Sequence, residues 1–446
     1  MNTPICDFVE RYAADGALRL HMPGHKGVPF LGVEQRDITE VDGADVLYNA
    51  CGIIAESAKN ASELFESGKT VYSTEGSSLC IRAMVYLASL YAKKQGRRPL
   101  ILAARNAHKS FMSALALTDA NVEWIYPNKG DNIISCRVSA RQIEKKLEEL
   151  SELPTAIYLT SPDYLGAVSD IEGISEICRK RGVLLMVDNA HGAYLKFLPV
   201  SRHPLDLGAD ICCDSAHKTL PVLTGGAYLH ISKSAPDLFF DMAEQAMSLF
   251  ASTSPSYLIL QSLDMANKYL SGSYTARLLE MTRLISDAKL LLNKNGFSLI
   301  GDEEMKICIA SKAYGYYGFE IAEYLTEKGV VCEFYDRDFA VMMFTPEIGA
   351  DDIDKLVSAL ICLPKKALID ETPPVVGRPK REMTAREAVM SPSREVRAEE
   401  ALDRVLSFAG VSCPPAIPIV VCGELIDEKA IECFKYYGID KCRVVE

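Results

Sequence analysis

Asp214-Ser215-Ala216-His217-Lys218-Thr219-Leu220 follows an apolar run at 209–213 and precedes Gly225-Gly226 and a second apolar run at 227–231. Short apolar runs bounded by turn residues read as buried strands. A lysine just past a strand end, behind a serine and a histidine, is badly placed for a solvated surface role. It is well placed to form a Schiff base with an aldehyde cofactor, with Ser215 and His217 donating hydrogen bonds to that cofactor's phosphate. Alone, the heptad also fits an ordinary surface lysine. The rest of the chain has to separate the two readings.

Just upstream lies a full strand–helix–strand unit. Residues 156–160 read as a strand, followed by Ser161-Pro162-Asp163-Tyr164-Leu165-Gly166. Ser169 and Glu172 fit a capping box. Ile171, Ile174, Ile177 and Cys178 make a helical apolar stripe, closed by Arg179-Lys180-Arg181 and Gly182. Residues 183–187 form the next buried strand, and Asp188-Asn189-Ala190-His191-Gly192 follows at once. Such a unit predicts a parallel sheet with right-handed crossovers, its ligand groups gathered at the carboxyl edge.

The pattern extends towards the N-terminus. A helix over 55–66 leads to Thr74-Glu75-Gly76-Ser77-Ser78 and a helical segment over 79–90. A Gly-Ser-Ser helix start offers N–H groups and hydroxyls to an anion, although a plain serine cap is the simpler reading. A strand over 99–104 ends in Arg105-Asn106-Ala107-His108-Lys109-Ser110, which puts His108 at a strand-to-helix corner where a ring can stack on a flat cofactor. Residues 122–126 are a further strand. Near the start, His21-Met22-Pro23-Gly24-His25-Lys26-Gly27 reads as a loop.

An aspartate at one strand end and a lysine at a later one suit pyridoxal 5'-phosphate. The lysine holds the aldehyde, Asp188 keeps the pyridine nitrogen protonated, the helix start at Gly76-Ser77-Ser78 receives the phosphate, and His108 covers one face.

The chain resembles the Orn/Lys/Arg decarboxylase family, pyridoxal phosphate enzymes of the aspartate-aminotransferase fold type. The resemblance rests on the stretches quoted above from His21, Arg105, Ser161 and Asp188, on Ser215–Pro221 and on Thr253-Ser254-Pro255-Ser256-Tyr257. It implies Lys218 as the Schiff-base residue, Asp188 as the partner of the ring nitrogen and His108 as the stacking ring. It implies Ser77, Ser78, Ser215 and His217 at the phosphate, and His191 close to the reacting centre. It also implies a homodimer or higher oligomer in which Thr253 reaches a neighbour's phosphate. Three positions depart from the family pattern. Glu75 stands where a neutral amide is usual, a poor neighbour for a phosphate unless it turns away. Leu79 replaces a glycine, and Asn189 replaces an acid. Cys413-Pro414-Pro415-Ala416-Ile417-Pro418 resembles a C-terminal family motif.

The expected fold class is α/β. An N-terminal arm (1–55) precedes a cofactor-binding large domain with a mostly parallel sheet (56–295). A smaller α/β domain (296–368) and a linker with a small C-terminal α+β domain (369–446) follow. In the smaller domain, 318–328 and 351–360 read as helices and 330–334 and 339–344 as strands. In the C-terminal part, 399–407 reads as a helix.

With 446 residues and 48% hydrophobic content, the chain can bury a large core. A net charge of −12 disfavours nucleic-acid and anionic-membrane partners. The first twenty residues carry no apolar signal-peptide core, and no run reaches the length of a membrane span. The 14 cysteines show no metal-ligand spacing, so free thiols in a cytoplasmic protein without a metal are expected. The expected reaction is decarboxylation of a basic amino acid. An aminotransferase or another lyase on the same fold, or a cofactor-binding protein with little turnover, are the rivals. A basic substrate side chain needs a carboxylate partner, for which Glu333 and Asp336 in Glu333-Phe334-Tyr335-Asp336 are the first candidates and Asp163 and Asp45 the fallback.

Overall fold

The computed structural model describes residues 1–127, 135–408, 412–413 and 417–446. Of the proline-rich stretch that begins at Cys413, Pro414, Pro415 and Ala416 lie outside the described residues. Seven strands form the large sheet: β1 (Lys69–Ser73), β2 (Leu100–Ala104), β3 (Asn121–Ile125), β4 (Ala156–Thr160), β5 (Leu184–Asp188), β6 (Ile211–Asp214) and β7 (Ala227–Ile231). Their order is β1-β7-β6-β5-β4-β2-β3. The sheet is mostly parallel, as expected from the crossover unit. β2–β3 and β5–β6 are parallel pairs, whereas β7 runs against both β1 and β6. β5 and β6 are buried along their whole length, which is why they read as unbroken apolar runs.

The chain divides into two compact units, one of residues 1–97, 155–157 and 171–276, the other of 98–154, 158–170 and 277–446. In the first unit the helix Ser77–Lys94 buries Leu79, Ile81, Met84, Val85 and Leu87. Leu79, which stands in place of a family glycine, is therefore a core residue. The helix Pro4–Ala14 is pinned at its start by Asp264: Oδ2 accepts from the N–H groups of Ile5 and Cys6, both at 3.0 Å, and Oδ1 from Ser57 Oγ at 2.6 Å. A carboxylate at a helix N-terminus satisfies orphan donors and complements the dipole.

In the second unit four strands, β8 (Leu299–Ile300), β9 (Lys306–Ala310), β10 (Phe334–Tyr335) and β11 (Phe339–Met343), form an antiparallel sheet in the order β10-β11-β9-β8. Phe334, Phe339 and Val341 share one core with Leu406, Ile419, Val420, Phe434 and Val444 from the C-terminal region. That region adds β12 (Ser393–Arg397), β13 (Ser412–Cys413), β14 (Ile417–Pro418) and β15 (Lys441–Val445). β12 pairs antiparallel with β15.

Three local expectations need correction. The strand expected over 330–334 is only the two-residue β10, which pairs with β11 through Phe334 and Tyr335. The helix expected over 399–407 is only the single turn Ala398–Glu400. Val405 and Leu406 instead bridge to Leu425 and Val444, so pairing with distant backbone overrides local helix propensity. The expected capping box at Ser169 does not form as drawn, because the helix is Ile171–Arg181 and Ser169 Oγ accepts from the N–H of Val138 at 3.2 Å.

Candidate active site

In the first unit, parallel pairing places Asp188 opposite Cys213, so the ends of β5 and β6 lie side by side at one edge. Lys218 follows β6 within the short helix Ala216–Thr219. Its Nζ lies 3.1 Å from His191 Nε2, on the loop after β5. Asp188 is buried at 2% exposure. Its Oδ1 accepts from the N–H of Ala190 at 3.2 Å and from Cys213 Sγ at 3.7 Å. Burial first, and the Asp188 charge second, push the Cys213 thiol well above its ordinary pKa, so it stays a proton donor to that carboxylate.

The helix start converges on the same edge. β1 ends at Ser73, and Gly76 adopts φ 72° as the N-cap of Ser77–Lys94. Gly76 donates its N–H to Gly225 O at 2.7 Å and His217 donates its N–H to Gly226 O at 3.1 Å. Gly225 has φ +100°, and a Cβ there would lie 2.7 Å from Thr74 O, so the glycine is required by both conformation and space. Ser215 Oγ donates to Ser77 Oγ at 2.7 Å. His217 Nδ1 donates to Gly226 O at 2.9 Å, which fixes the ring. Burial, with help from the Lys218 charge and against the Gly226 bond, lowers the His217 pKa. Glu75 turns to the loop before the helix Tyr257–Leu270, where its Oε1 accepts from the N–H of Ser252 at 2.7 Å. Thr253, the next residue on that loop, is exposed. The structure thus brings Gly76, Ser77, Asp188, His191, Ser215, His217 and Lys218 to one sheet edge, with Ser78 on the same helix start.

The donor set fits pyridoxal phosphate. It offers an amine, a buried carboxylate on the adjacent strand, and a helix N-terminus with two facing hydroxyls for an anion.

Of the other candidates, His108, Asp163, Glu333 and Asp336 belong to the second unit and Asp45 to the first. His108 caps the helix Lys109–Thr118, its Nδ1 accepting from the N–H of Ser110 at 3.2 Å. Three residues earlier, Arg105 is fully buried against Glu424: Nη1 donates to Oε1 at 2.9 Å and Nη2 to Oε2 at 2.7 Å. Trp124 and Tyr126 lie 5.0 and 5.5 Å from the guanidinium carbon. The sequence reading missed this pair, since nothing local links positions so far apart.

Asp163 is buried and fully engaged. Oδ1 accepts from the N–H groups of Leu165 (3.1 Å) and Ala167 (2.9 Å), and Oδ2 from Ser135 Oγ (2.5 Å). Burial outweighs those bonds and raises its pKa to about 6. Glu333 is exposed and accepts from the Oη of Tyr164, the residue after Asp163, at 2.9 Å. Asp336 Oδ1 accepts from the N–H groups of Asp338 and Phe339, both at 2.7 Å, and burial raises its pKa to about 6. Asp45 holds the start of the helix Ile53–Phe65, accepting from Gly52 and Ile54 N–H.

Solved lysine decarboxylases share this architecture. The Francisella novicida enzyme LdcF matches with a TM-score of 0.80 at 16% identity, covering 100% of this chain and 81% of that one. Lysine decarboxylase A of Pseudomonas aeruginosa matches with a TM-score of 0.78 at 17% identity, covering 99% and 80%. Fold and strand-edge site together define a type I pyridoxal phosphate fold. The model of the Orn/Lys/Arg decarboxylase major domain matches residues 3–298, and the arginine decarboxylase of Bacillus subtilis (strain 168) is 28% identical over 470 residues, covering 96% of this chain and 92% of that protein. The chain belongs to the Orn/Lys/Arg decarboxylase family, and its reaction class is decarboxylation of a basic amino acid.

Proposed function

We propose that the chain binds pyridoxal 5'-phosphate at the edge formed by β1, β5 and β6 and decarboxylates a basic amino acid, with arginine the first substrate to test. The contact between Lys218 Nζ and His191 Nε2, beside the buried Asp188, carries this reading. Arginine leads because relatives aligned along nearly the whole chain are named arginine decarboxylases.

When bound, the cofactor supplies a sink for the electron pair left at Cα as CO2 departs. Lys218 would hold its aldehyde carbon. His191 Nε2, 3.1 Å from Lys218 Nζ, would take the proton that Lys218 must lose to act as a nucleophile, and His191 or Lys218 would return a proton at Cα. Ionised Asp188 holds a proton on the ring nitrogen by charge pairing. Gly76, Ser77, Ser78 and Ser215 receive the phosphate. His217 joins them from Nε2, and the phosphate charge favours the second ring proton this requires. The family resemblance assigns the ring's stacking partner to His108, and Glu333, Asp336 and Asp163 are the acids to test as partners of the substrate's distal cation.

The functional division runs 1–55, 56–295, 296–368 and 369–446, and the assembly is a homodimer or higher homo-oligomer in the cytoplasm. Among the described residues, no helix is long and apolar enough to cross a membrane. The arm supports a dimer: Leu18, Leu20, Phe30 and Leu31 are 77–87% exposed, an apolar surface suited to a second copy. Light scattering that finds an active monomer would oppose the dimer, and with it a role for Thr253 across the interface.

The reaction is tested with a panel of arginine, lysine, ornithine and neutral amino acids, scored for CO2 and amine after incubation with pyridoxal phosphate. Amine and CO2 from a basic amino acid are expected. Transamination without CO2 would favour an aminotransferase. Borohydride should fix the cofactor to the peptide carrying Lys218; label on another lysine would remove the assignment.

A further inference from the structure

Behind the strand ends lies a buried cluster that the site above leaves unused. Asp214, His203, His230 and Asn189 are all 0% exposed. Asp214 Oδ1 accepts from Asn189 Nδ2 at 2.7 Å and Oδ2 from His203 Nε2 at 3.1 Å. His230 Nε2 stands 3.4 Å from the same Oδ2, and its Nδ1 shares a hydrogen bond with Thr70 Oγ1 at 2.8 Å. Thr70 Oγ1 is in turn 2.8 Å from Ser67 Oγ. Burial works against ionisation of Asp214, but His203 and His230 hold its carboxyl well below the usual range.

Two imidazoles and a carboxylate this close also suggest a metal site. The tautomer argues against one. Among the described residues, buried His203 Nδ1 has no hydrogen-bond partner. A metal on Nε2 would put the ring proton on Nδ1, leaving a buried N–H unsatisfied, which costs more than an idle lone pair. The proton therefore sits on Nε2 and points at Asp214.

The cluster's place in the chain gives it a use. Asn189 directly follows Asp188, and Asp214 directly precedes Ser215 and the Lys218 turn. Side chains alternate along a strand, so Asp188 and Cys213 share one face and Asn189 and Asp214 the other. The family acid absent at position 189 is thus supplied across the strand pair by Asp214.

We propose that Asp214 is a positioning residue: its carboxylate, gripped by His203 and tied to Asn189, locks the ends of β5 and β6 and so fixes Asp188 and Lys218 relative to each other. The inference rests on Asp188 and Lys218 serving the cofactor as described above.

The test uses full-length protein loaded with pyridoxal phosphate. D214N removes one buried negative charge, and the swap N189D/D214N restores it within the same hydrogen-bonded pair. Loosening Lys218 relative to Asp188 should shift the pH midpoint of the cofactor's visible band in D214N, by about half a unit. The kcat for the basic amino acid should fall about tenfold with KM nearly unchanged. In the swap, both should return towards the parent. A fault confined to stability would lower Tm without moving the midpoint. If D214N is insoluble, N189A carries the question, because it cuts the tie and keeps the charge. There kcat should fall at least about threefold. A parental midpoint and kcat in D214N, or a parental kcat in N189A, overturns the proposal. Borohydride labelling of the parent separates the two levels: loss of label from Lys218 refutes the underlying site, whereas label on Lys218 with unchanged variants refutes only the role of Asp214.

Discussion

Glu424→Gln should be among the most damaging single changes outside the site. Glu424 is the counter-charge for Arg105, and the two side chains are 3% and 0% exposed. Its Oε2 also accepts from the N–H of Val421 at 2.9 Å. Glutamine keeps the volume but turns an NH2 group towards a guanidinium that has only donors. The cation is then left buried with Ile419 O, at 3.2 Å from Nη2, and the two aromatic rings. Breaking a buried pair on one side costs about 3–5 kcal/mol. At about 3 °C per kcal/mol for a unit of this size, the melting temperature of the second unit should drop by roughly 10 °C. Replacing both partners, as in R105M/E424M, should recover most of the loss, because no buried charge is then stranded. Differential scanning fluorimetry with urea titration measures this. E424Q melting within 2 °C of the parent would refute the reasoning, and so would a double variant less stable than E424Q.

Three further outcomes are expected. Asp188→Asn should retain bound cofactor and lose most turnover, because an amide cannot hold the ring proton by charge; parental activity would mean the ring-nitrogen partner is another group. Glu333→Gln or Asp336→Asn should raise KM for the basic substrate with an unchanged cofactor spectrum, by about 2–3 kcal/mol for one charged hydrogen bond; unchanged kinetics in both would return these acids to a structural role. Asp163 carries a raised pKa of about 6, caused first by burial. Its contribution to stability is fully present below the unfolded carboxyl range and is lost as pH rises towards 6. Urea midpoints measured from pH 4 to 7 should show this decline in the parent and a flatter profile in Asp163→Asn.

What the sequence made legible follows from range. β5 and β6 are continuous apolar runs with their polar residues at the carboxyl end, so local pattern was enough to place Asp188 and the Lys218 turn at the ends of neighbouring strands. The helix start at Ser77 was readable because Gly-Ser-Ser is a local signal. The partners of Asp214 were not, since Asn189, His203 and His230 come from separate segments. Arg105 looked like part of a ligand loop, and only the C-terminal region explains its burial. The strand pairing of Val405 and Leu406 was hidden for the same reason. A helix-prone stretch was claimed by distant backbone whose position no periodicity announces.

The shared core of β11 and β15 also sets a timetable for biosynthesis. Val341 emerges from the ribosome about a hundred residues before Val444, which closes over the same apolar cluster. At 5–20 residues per second, on the order of ten seconds pass between them. Through that interval Phe334, Phe339 and Val341 lack the side chains that will cover them, while the β5–β6 edge can already have assembled. The nascent chain can therefore carry a finished β5–β6 edge while the hydrophobic face of the second unit is still open. A stall anywhere between β11 and β15 prolongs the exposure that chaperones and proteases detect.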